Sequence, residues 1–216
     1  MSSREFLNYI AERSSRAGID VPLDLALQLE EYYRLLAHWN RHINLTALQL
    51  DPVRPESVDR LLIEPLRALG RMATASPIWF DVGSGGGSPA IPLKLALPAG
   101  QLTMVESRQR KAAFLREAVR ALQLEGTRIE ARRMEEVAQD PSLSGFADLM
   151  TVRAVRIDPS LFAAAQTVLR FGGQLMLFGA RKADLTLPRG FEFSADSTVS
   201  PVESIPGLVV ISRIGL

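Results

Sequence analysis

The sequence has 216 residues, of which 47% are hydrophobic and 23% are charged, and its formal net charge is +1. This length and composition are typical of a globular chain with a sizeable core and exclude a disordered or fibrous protein. The absence of cysteine excludes disulfides, thiolate metal sites and a thiol nucleophile. No apolar run reaches the roughly 18 residues of a membrane span, and the N-terminal segment carries charges where a secretory signal is apolar. We therefore expect a cytoplasmic protein.

The first third of the chain is predicted to be helical. Apolar residues recur every three or four positions over residues 6–10 and 23–39, which is the spacing of a helix with one buried face. A further helical stretch is predicted near residues 56–72, and Pro65 should kink or split it. We assign residues 1–75 to a helical N-terminal region.

From residue 76 onward, short apolar runs alternate with amphipathic segments. The predicted strands cover residues 78–82, 102–106, 127–131, 147–152 and 173–178, and the predicted helices begin at Pro89 and cover 108–124, 134–139 and 159–170. This alternation predicts βαβ units and an α/β fold with a doubly wound parallel sheet. Two extended runs, 191–197 and 208–214, predict an antiparallel pair that completes the sheet. We assign residues 76–216 to this domain.

A glycine-rich turn follows the first predicted strand. In the segment IWFDVGSGGGSPAIPLKLA, residues 78–96, Asp81 lies near the end of the strand, and Gly83, Gly85 and Gly87 precede a helix. Glycines permit backbone conformations and close ligand approach that side chains prevent, and a helix N-terminus offers free N–H groups to a bound oxygen. The turn predicts a site for a nucleotide-like ligand, and a purely structural loop is the alternative.

The glycine spacing separates the classes of nucleotide site. A dinucleotide fingerprint needs a third glycine where this chain has Ser88, and a P-loop ends in Gly-Lys-Ser/Thr, whereas this turn ends in Gly-Ser-Pro. An acidic strand end followed by alternating glycines resembles the first motif of S-adenosylmethionine-dependent methyltransferases. In that class the acidic position, here Asp81, faces the donor's ammonium group.

Later strand ends add polar side chains to the same edge of the sheet. Glu106 ends the second strand, where a βαβ unit places an acceptor for both ribose hydroxyls. An NAD(P)-dependent oxidoreductase would share that acid, and a solvated or helix-capping Glu106 is the structural alternative. Arg153 ends the fourth strand and should point into the crevice. Either Arg153 or Arg156 could hold guanine N7 and O6 in a bidentate fork, or pair with carboxylates.

Motifs along most of the chain are similar to those of one known family. WNRHINLTA, residues 39–47, is similar to the signature WNxxINLTA, and DVGSGGGSPAIPL, residues 81–93, is similar to DVGSGxGxPGIPL. ESRQRKAAFL, residues 106–115, resembles E-S-x-x-K-R-x-x-F-L, and RMEE, residues 133–136, resembles R-A-E-E. Arg153-Ala154 resembles the R-A that follows the fourth strand. These motifs resemble those of the bacterial 16S rRNA guanine-N7 methyltransferases, also called glucose-inhibited division protein B or small-subunit methyltransferase G.

The resemblance implies a Rossmann-like class I methyltransferase sheet and transfer of a methyl group from S-adenosylmethionine to guanine N7 in the 530 loop of 16S rRNA. It also implies donor contacts from the turn Gly83–Ser88 and from Met134, Glu135 and Arg153. With the acidic strand ends, the predicted donor site comprises Asp81, Gly83, Gly85, Ser88, Glu106, Met134, Glu135 and Arg153. The expected partner is 16S rRNA or the small ribosomal subunit, bound by a monomer.

The substrate side is predicted from the N-terminal signature. Asn40, Asn44 and Thr46 are placed to cap the helix or to shape the substrate mouth, and Arg156 is the further candidate for a base contact. His38 and His42 lie four residues apart without a carboxylate ligand motif, so we predict no metal site.

No general base is predicted. Guanine N7 carries a lone pair and no proton at neutral pH, so alignment with the sulfonium methyl supplies most of the acceleration, and Arg153 is a candidate positioning residue. Cytosine C5 methylation would need the missing thiolate. The Asn/Asp-Pro-Pro-Tyr/Phe motif of amino-group methylation is also absent, because Thr-Val-Arg-Ala follows the fourth strand.

Four positions depart from the family pattern. Ser88 replaces an aromatic or aliphatic residue, Ala90 replaces glycine, Leu61 replaces the histidine of H-x-x-D-S-L, and Phe178 replaces lysine. Most of these positions are expected to face RNA. A divergent paralogue with another target base, an oxidoreductase and a noncatalytic RNA-binding module are the alternatives.

Overall fold

The computed structural model describes residues 1–199 and 207–215. Its strands are β1 (Ile78–Val82), β2 (Gln101–Val105), β3 (Thr127–Glu130), β4 (Ala147–Arg153), β5 (Leu169–Phe178), β6 (Phe191–Val199) and β7 (Leu208–Arg213). They form one seven-stranded sheet in the order β3-β2-β1-β4-β5-β7-β6. Strands β1 to β5 are parallel, and β7 runs antiparallel to both of its neighbours. The predicted doubly wound sheet and its antiparallel end are confirmed.

The helices cover both faces of the sheet. They are α1 (Ser3–Arg16), α2 (Leu23–Asn40), α3 (Pro55–Val58), α4 (Glu64–Arg67), α5 (Ala90–Ala96), α6 (Gln109–Ala121), α7 (Met134–Val137) and α8 (Pro159–Val168). Within the described part of the chain, none of them has both the length and the apolar character needed to cross a membrane.

Two predicted helix ends were wrong. The helix predicted over 108–124 ends at Ala121, and the one predicted over 159–170 ends at Val168. Leu169 instead begins β5, where it pairs with Ala147 of β4 and is fully buried. The apolar spacing continues through Leu169, so the helical pattern has no local stop, and strand pairing decides the boundary.

Pro65 disrupts the helical stretch at residues 55–71, as predicted. α3 continues into a π-helical turn at Asp59–Ile63, then into α4 and a 3₁₀ turn at Ala68–Arg71. Proline has no N–H to donate to the carbonyl groups of Leu61 and Arg60, four and five residues before it. Both carbonyls accept hydrogen bonds from distant side chains instead.

The N-terminal helices and the sheet share a hydrophobic core. Leu29 of α2 and Trp79 of β1 belong to the core on one face of the sheet, and Phe80 belongs to the core on the other. The ring of Trp39, at the end of α2, packs edge-on against Phe114 of α6, with centroids 5.9 Å apart. The division at residue 75 stays a prediction, and buried side chains on both of its sides belong to one core.

Removing a buried side chain from α2 should destabilise the whole fold. Leu29 is 0% exposed, so Leu29→Ala is expected to lower the free energy of unfolding by about 3 kcal/mol through lost burial and a residual cavity. Urea unfolding followed by circular dichroism and by tryptophan fluorescence should give one transition, shifted equally for both probes. Leu27, which is 47% exposed, gives the matched control Leu27→Ala, with an expected change within about 0.5 kcal/mol. A sheet transition unaffected by Leu29→Ala would contradict the shared core.

Candidate active site

Two cavities lie at the carboxyl ends of the parallel strands and meet at Gly83. The first, the Glu106 cavity, has a volume of about 400 Å³, and its lining includes Glu106, Met134, Glu135, Val155, Arg156 and Leu161. The second, the Arg153 cavity, has a volume of about 320 Å³, and its lining includes Leu45, Thr46, Arg60, Ser88, Lys111 and Arg153. Since Gly83 lines both, a ligand longer than either cavity would cross this glycine.

The glycine turn has backbone conformations that favour glycine. Gly83 has a φ of +68°, and a Cβ on it would lie 2.4 Å from Cγ2 of Val155. Gly85 has a φ of +51° and donates its N–H to Glu106 Oε2 at 2.9 Å. From the side of α2, the Tyr32 hydroxyl donates to the Gly86 carbonyl at 2.7 Å. The turn is therefore held on both sides, and glycine at position 83 avoids a clash with Val155.

Glu106 holds the turn and the start of α6 together. It is 6% exposed, so the solvated alternative is wrong. Its Oε1 accepts the N–H of Arg108, the residue that precedes α6, at 2.8 Å, which agrees with the helix-capping alternative. Each carboxylate oxygen has a second lone pair, so Glu106 can still accept hydrogen bonds from a ribose.

Asp81 lies beneath the turn and lines neither cavity. Its Oδ1 accepts a hydrogen bond from the Thr151 hydroxyl at 2.6 Å. Its Oδ2 is buried and has no hydrogen-bond partner among the described residues. Burial raises the pKa of this carboxyl to about 6, although Thr151 opposes the shift. An unpaired, buried acceptor of this kind fits a cationic group of a ligand.

Arg153 is held by groups from the N-terminal region. Its Nη1 donates to the carbonyl of Arg60 at 2.6 Å and lies 2.8 Å from Oε2 of Glu64. The guanidinium lies over the ring of Phe178, 5.0 Å from its centroid. Burial is the largest influence on the pKa of Glu64, which it raises against the opposing effect of Arg153. Nε and Nη2 of Arg153 are buried and have no hydrogen-bond partner among the described residues.

Ser88 joins the glycine turn to the helical region. Its hydroxyl donates to the carbonyl of Leu61 at 2.8 Å, four residues before Pro65, which has no N–H to donate to it. Ser88 was predicted to contact the methyl donor. Its side chain lines the Arg153 cavity, and its hydroxyl points to Leu61.

Of the four predicted substrate residues, Thr46 lines the Arg153 cavity and Arg156 lines the Glu106 cavity. Asn40 Oδ1 accepts the N–H groups of Leu45 and Thr46, at 2.9 and 3.0 Å, so it shapes the loop that lines the Arg153 cavity. Asn44 is exposed and lines neither cavity. Arg156 is exposed and lies at the Glu106 cavity, apart from Arg153.

Three charged residues of the site have roles that sequence reasoning missed. Glu64 stands at the aspartate position of the family motif H-x-x-D-S-L, but its partner Arg153 is far away in the sequence. Arg60 and Lys111 both line the Arg153 cavity. Lys111 belongs to a run of basic residues on α6 whose pattern is that of a solvated helix face. The departures also gain a physical account, because Phe178 supports the guanidinium where lysine would place a second cation.

Comparison with known proteins identifies the family. The family model described as rRNA small subunit methyltransferase G matches residues 26–198. The chain belongs to this family. A ribosomal RNA small subunit methyltransferase G from Rubrobacter xylanophilus is 37% identical over 197 residues, covering 88% of this chain and 73% of that protein. The protein of the same name from Chloroflexus aggregans is 32% identical over 216 residues, covering 95% and 89%.

Solved structures show the same fold at low sequence identity. TomG, an O-methyltransferase from Streptomyces achromogenes in complex with S-adenosylmethionine, has a TM-score of 0.62 at 16% identity and covers all of both chains. A putative O-methyltransferase from Klebsiella pneumoniae has a TM-score of 0.63 at 14% identity, with 99% of each chain covered. The predicted Rossmann-like class I methyltransferase fold is therefore confirmed.

Membership in the family makes the chain an S-adenosylmethionine-dependent methyltransferase. The oxidoreductase alternative is wrong. The residues fit the cofactor, since Asp81 leaves a buried acceptor unpaired and Gly83, which has no side chain, lines both cavities. Among residues 1–199 and 207–215, no three His, Asp or Glu side chains are grouped as a metal site requires.

The ion pair between Glu64 and Arg153 yields a stability prediction. Glu64→Ala should lower the free energy of unfolding by about 3 kcal/mol, because it leaves the buried guanidinium without a counter-charge. Urea denaturation measures the effect. Glu56→Ala, an exposed carboxylate one helical turn away from Arg60, should change stability by less than about 0.5 kcal/mol. Equal effects of the two variants would show that the buried pair does not stabilise the fold.

Asp81 yields a pH prediction for donor binding. A proton on Asp81 competes with the donor's ammonium group, so affinity should fall as the pH is lowered through the pKa of about 6. Between pH 7 and pH 5 the expected loss is about tenfold. Without the donor, lowering the pH should have the opposite effect on stability. A raised carboxyl pKa means that the folded protein binds this proton more tightly than the unfolded chain does, so protonation stabilises the fold. Calorimetry on the wild type and on Asp81→Asn measures this, and a pH dependence that persists in Asp81→Asn would assign it to another group.

Proposed function

We propose that this protein transfers a methyl group from S-adenosylmethionine to N7 of a guanine in the 530 loop of 16S rRNA. The observation that carries the proposal is the pair of cavities that meet at Gly83. One of them offers a ribose acceptor, and the other has the size for a base and no general base in its lining. Homologues named for methylation of small-subunit rRNA support the substrate.

The Glu106 cavity is the proposed place of the adenosine. Glu106 accepts hydrogen bonds from the two ribose hydroxyls, and the side chains of Met134 and Val155 supply apolar contact surface for the adenine. Gly83, which lines both cavities, lets the donor extend into the Arg153 cavity, and Asp81 Oδ2, buried and unpaired beneath the turn, is the proposed acceptor for the ammonium group. When bound, S-adenosylmethionine supplies a methyl group activated by its sulfonium charge.

The Arg153 cavity is the proposed place of the target base. Its charged lining side chains, among the described residues, are the basic residues Arg60, Lys111 and Arg153, and the lining has no carboxylate or imidazole. None can remove a proton, which suits N7, since its lone pair needs no deprotonation. The protein's contribution is therefore to orient the base and to exclude water.

Arg153 is the proposed positioning residue for the guanine. A fork onto both N7 and O6 would cover the lone pair that attacks, so we assign the guanidinium to O6 alone. Glu64, Phe178 and the Arg60 carbonyl hold one side of Arg153, while Nε and Nη2 remain as donors. A guanidinium fixed in this way loses little conformational entropy when the guanine binds.

We further propose that the enzyme acts as a monomer in the cytoplasm on rRNA or the small subunit. Leu61 and Phe178, which differ from the family pattern, lie in or beside the Arg153 cavity. We expect these differences to affect binding of the target base more than binding of S-adenosylmethionine.

The product of the reaction tests the proposed function. Recombinant protein with S-adenosylmethionine and either naked 16S rRNA or small subunits should form 7-methylguanosine, detected by mass spectrometry of the digested RNA. At saturating S-adenosylmethionine, the reaction rate should stay constant between about pH 7 and pH 9, because the proposed mechanism uses no general base. Glu106→Ala should reduce the product at limiting donor, whereas Glu117→Ala on the exposed face of α6 should not. Methylation of another base would make the target assignment wrong, and donor binding without any product would favour a noncatalytic module.

A further inference from the structure

Lys111 is the basic side chain of the Arg153 cavity that the protein leaves without a partner. Among the described residues, its ammonium group makes no hydrogen bond or ion pair, whereas Arg153 is paired with Glu64, and Arg60 Nη1 lies 3.7 Å from Glu56. The side chain is partly buried and lines the cavity wall. A partly desolvated cation without a counter-charge favours binding of an anion there.

The position of Lys111 is next to the glycine turn. Its Nζ lies 3.9 Å from the point that a Cβ would take on Gly85, and the carbonyl oxygen of Leu45 lies 4.0 Å from the same point. The anion would therefore lie between the turn and the loop that Asn40 shapes. Other basic residues of the same helix, such as Arg110 and Arg116, are exposed and do not line either cavity.

The proposed seating of the donor brings an anion to this point. With the ribose at Glu106, the amino-acid end of the donor extends past Gly83 into the Arg153 cavity, and it carries one ammonium and one carboxylate. Asp81 Oδ2 serves the ammonium from beneath the turn. The carboxylate needs a cation on the open side of the turn, and there the unpaired group is Lys111.

We propose that Lys111 binds the carboxylate of S-adenosylmethionine and makes the site selective for donors that carry this group. The proposal rests on the proposed donor seating. Its competitor is a contact between Lys111 and an RNA phosphate. The position beside Gly85, inside the cavity that the donor's amino-acid end must enter, favours the carboxylate.

A thermodynamic cycle between residue and ligand tests the proposal. Calorimetry in the absence of RNA compares S-adenosylmethionine with decarboxylated S-adenosylmethionine, which lacks only the carboxylate. Lys111→Met keeps the length of the side chain and removes its charge. It should weaken binding of the full donor about ten- to a hundredfold, the range for a charge-assisted hydrogen bond. It should change the affinity for the decarboxylated donor by less than about twofold, because that ligand has no group for Lys111 to bind.

Two further variants serve as controls. Arg110→Met removes a neighbouring exposed charge and should leave both affinities unchanged, and Lys111→Arg should retain most of the affinity for the full donor. Equal weakening of both donors by Lys111→Met would overturn the proposal by indicating a general disturbance of the site. Unchanged donor affinity together with weaker, salt-dependent RNA binding would assign Lys111 to phosphate. If the wild type binds neither donor, the proposed function itself fails, whereas normal donor binding that is insensitive to Lys111→Met overturns this inference alone.

Discussion

The desolvation of Arg153 is the constraint on which the rest of the site depends. A guanidinium at the end of a buried strand costs free energy unless charge and hydrogen-bond acceptors compensate for the lost water. Glu64 supplies the charge, the Arg60 carbonyl supplies an acceptor, and Phe178 supplies an aromatic face. Because Glu64 and Arg60 belong to the helical N-terminal region, satisfying this one cation fixes that region against the end of β4. The shape of the Arg153 cavity follows from this attachment.

Side chains of the N-terminal helices also contribute to the site by holding backbone groups of the turn and the loop. Tyr32 donates to the carbonyl of Gly86, and Asn40 accepts from two N–H groups of the loop that follows α2. These bonds set where the turn and the loop stand, and neither side chain has to touch a ligand to do so. Residues that shape the site are consequently spread over a larger part of the chain than the residues that contact a ligand.

Local signals explain what the sequence predicts well. The apolar runs locate the strands, and the glycine turn is evident because Gly83 and Gly85 have positive φ values that other residues avoid. The pairing of Glu64 with Arg153 and the partner-free state of Lys111 depend on how distant segments pack, so neither has a sequence pattern. The separation of Arg156 from Arg153 also has no sequence pattern. Ala154 has a φ of +54°, an uncommon conformation for alanine, and Arg156 emerges at the other cavity.

Pro65 makes three distant positions interdependent. Pro65 has no N–H, and the carbonyls of Leu61 and Arg60, four and five residues before it, accept from Ser88 and Arg153. A residue with an N–H at that position would compete with one of these side chains for its acceptor. Sequence change at positions 65, 88 and 153 is thus coupled, although the three lie on a helix, a turn and a strand. Divergence of this site away from its relatives would therefore proceed through compensated sets of substitutions and not through single, independent ones.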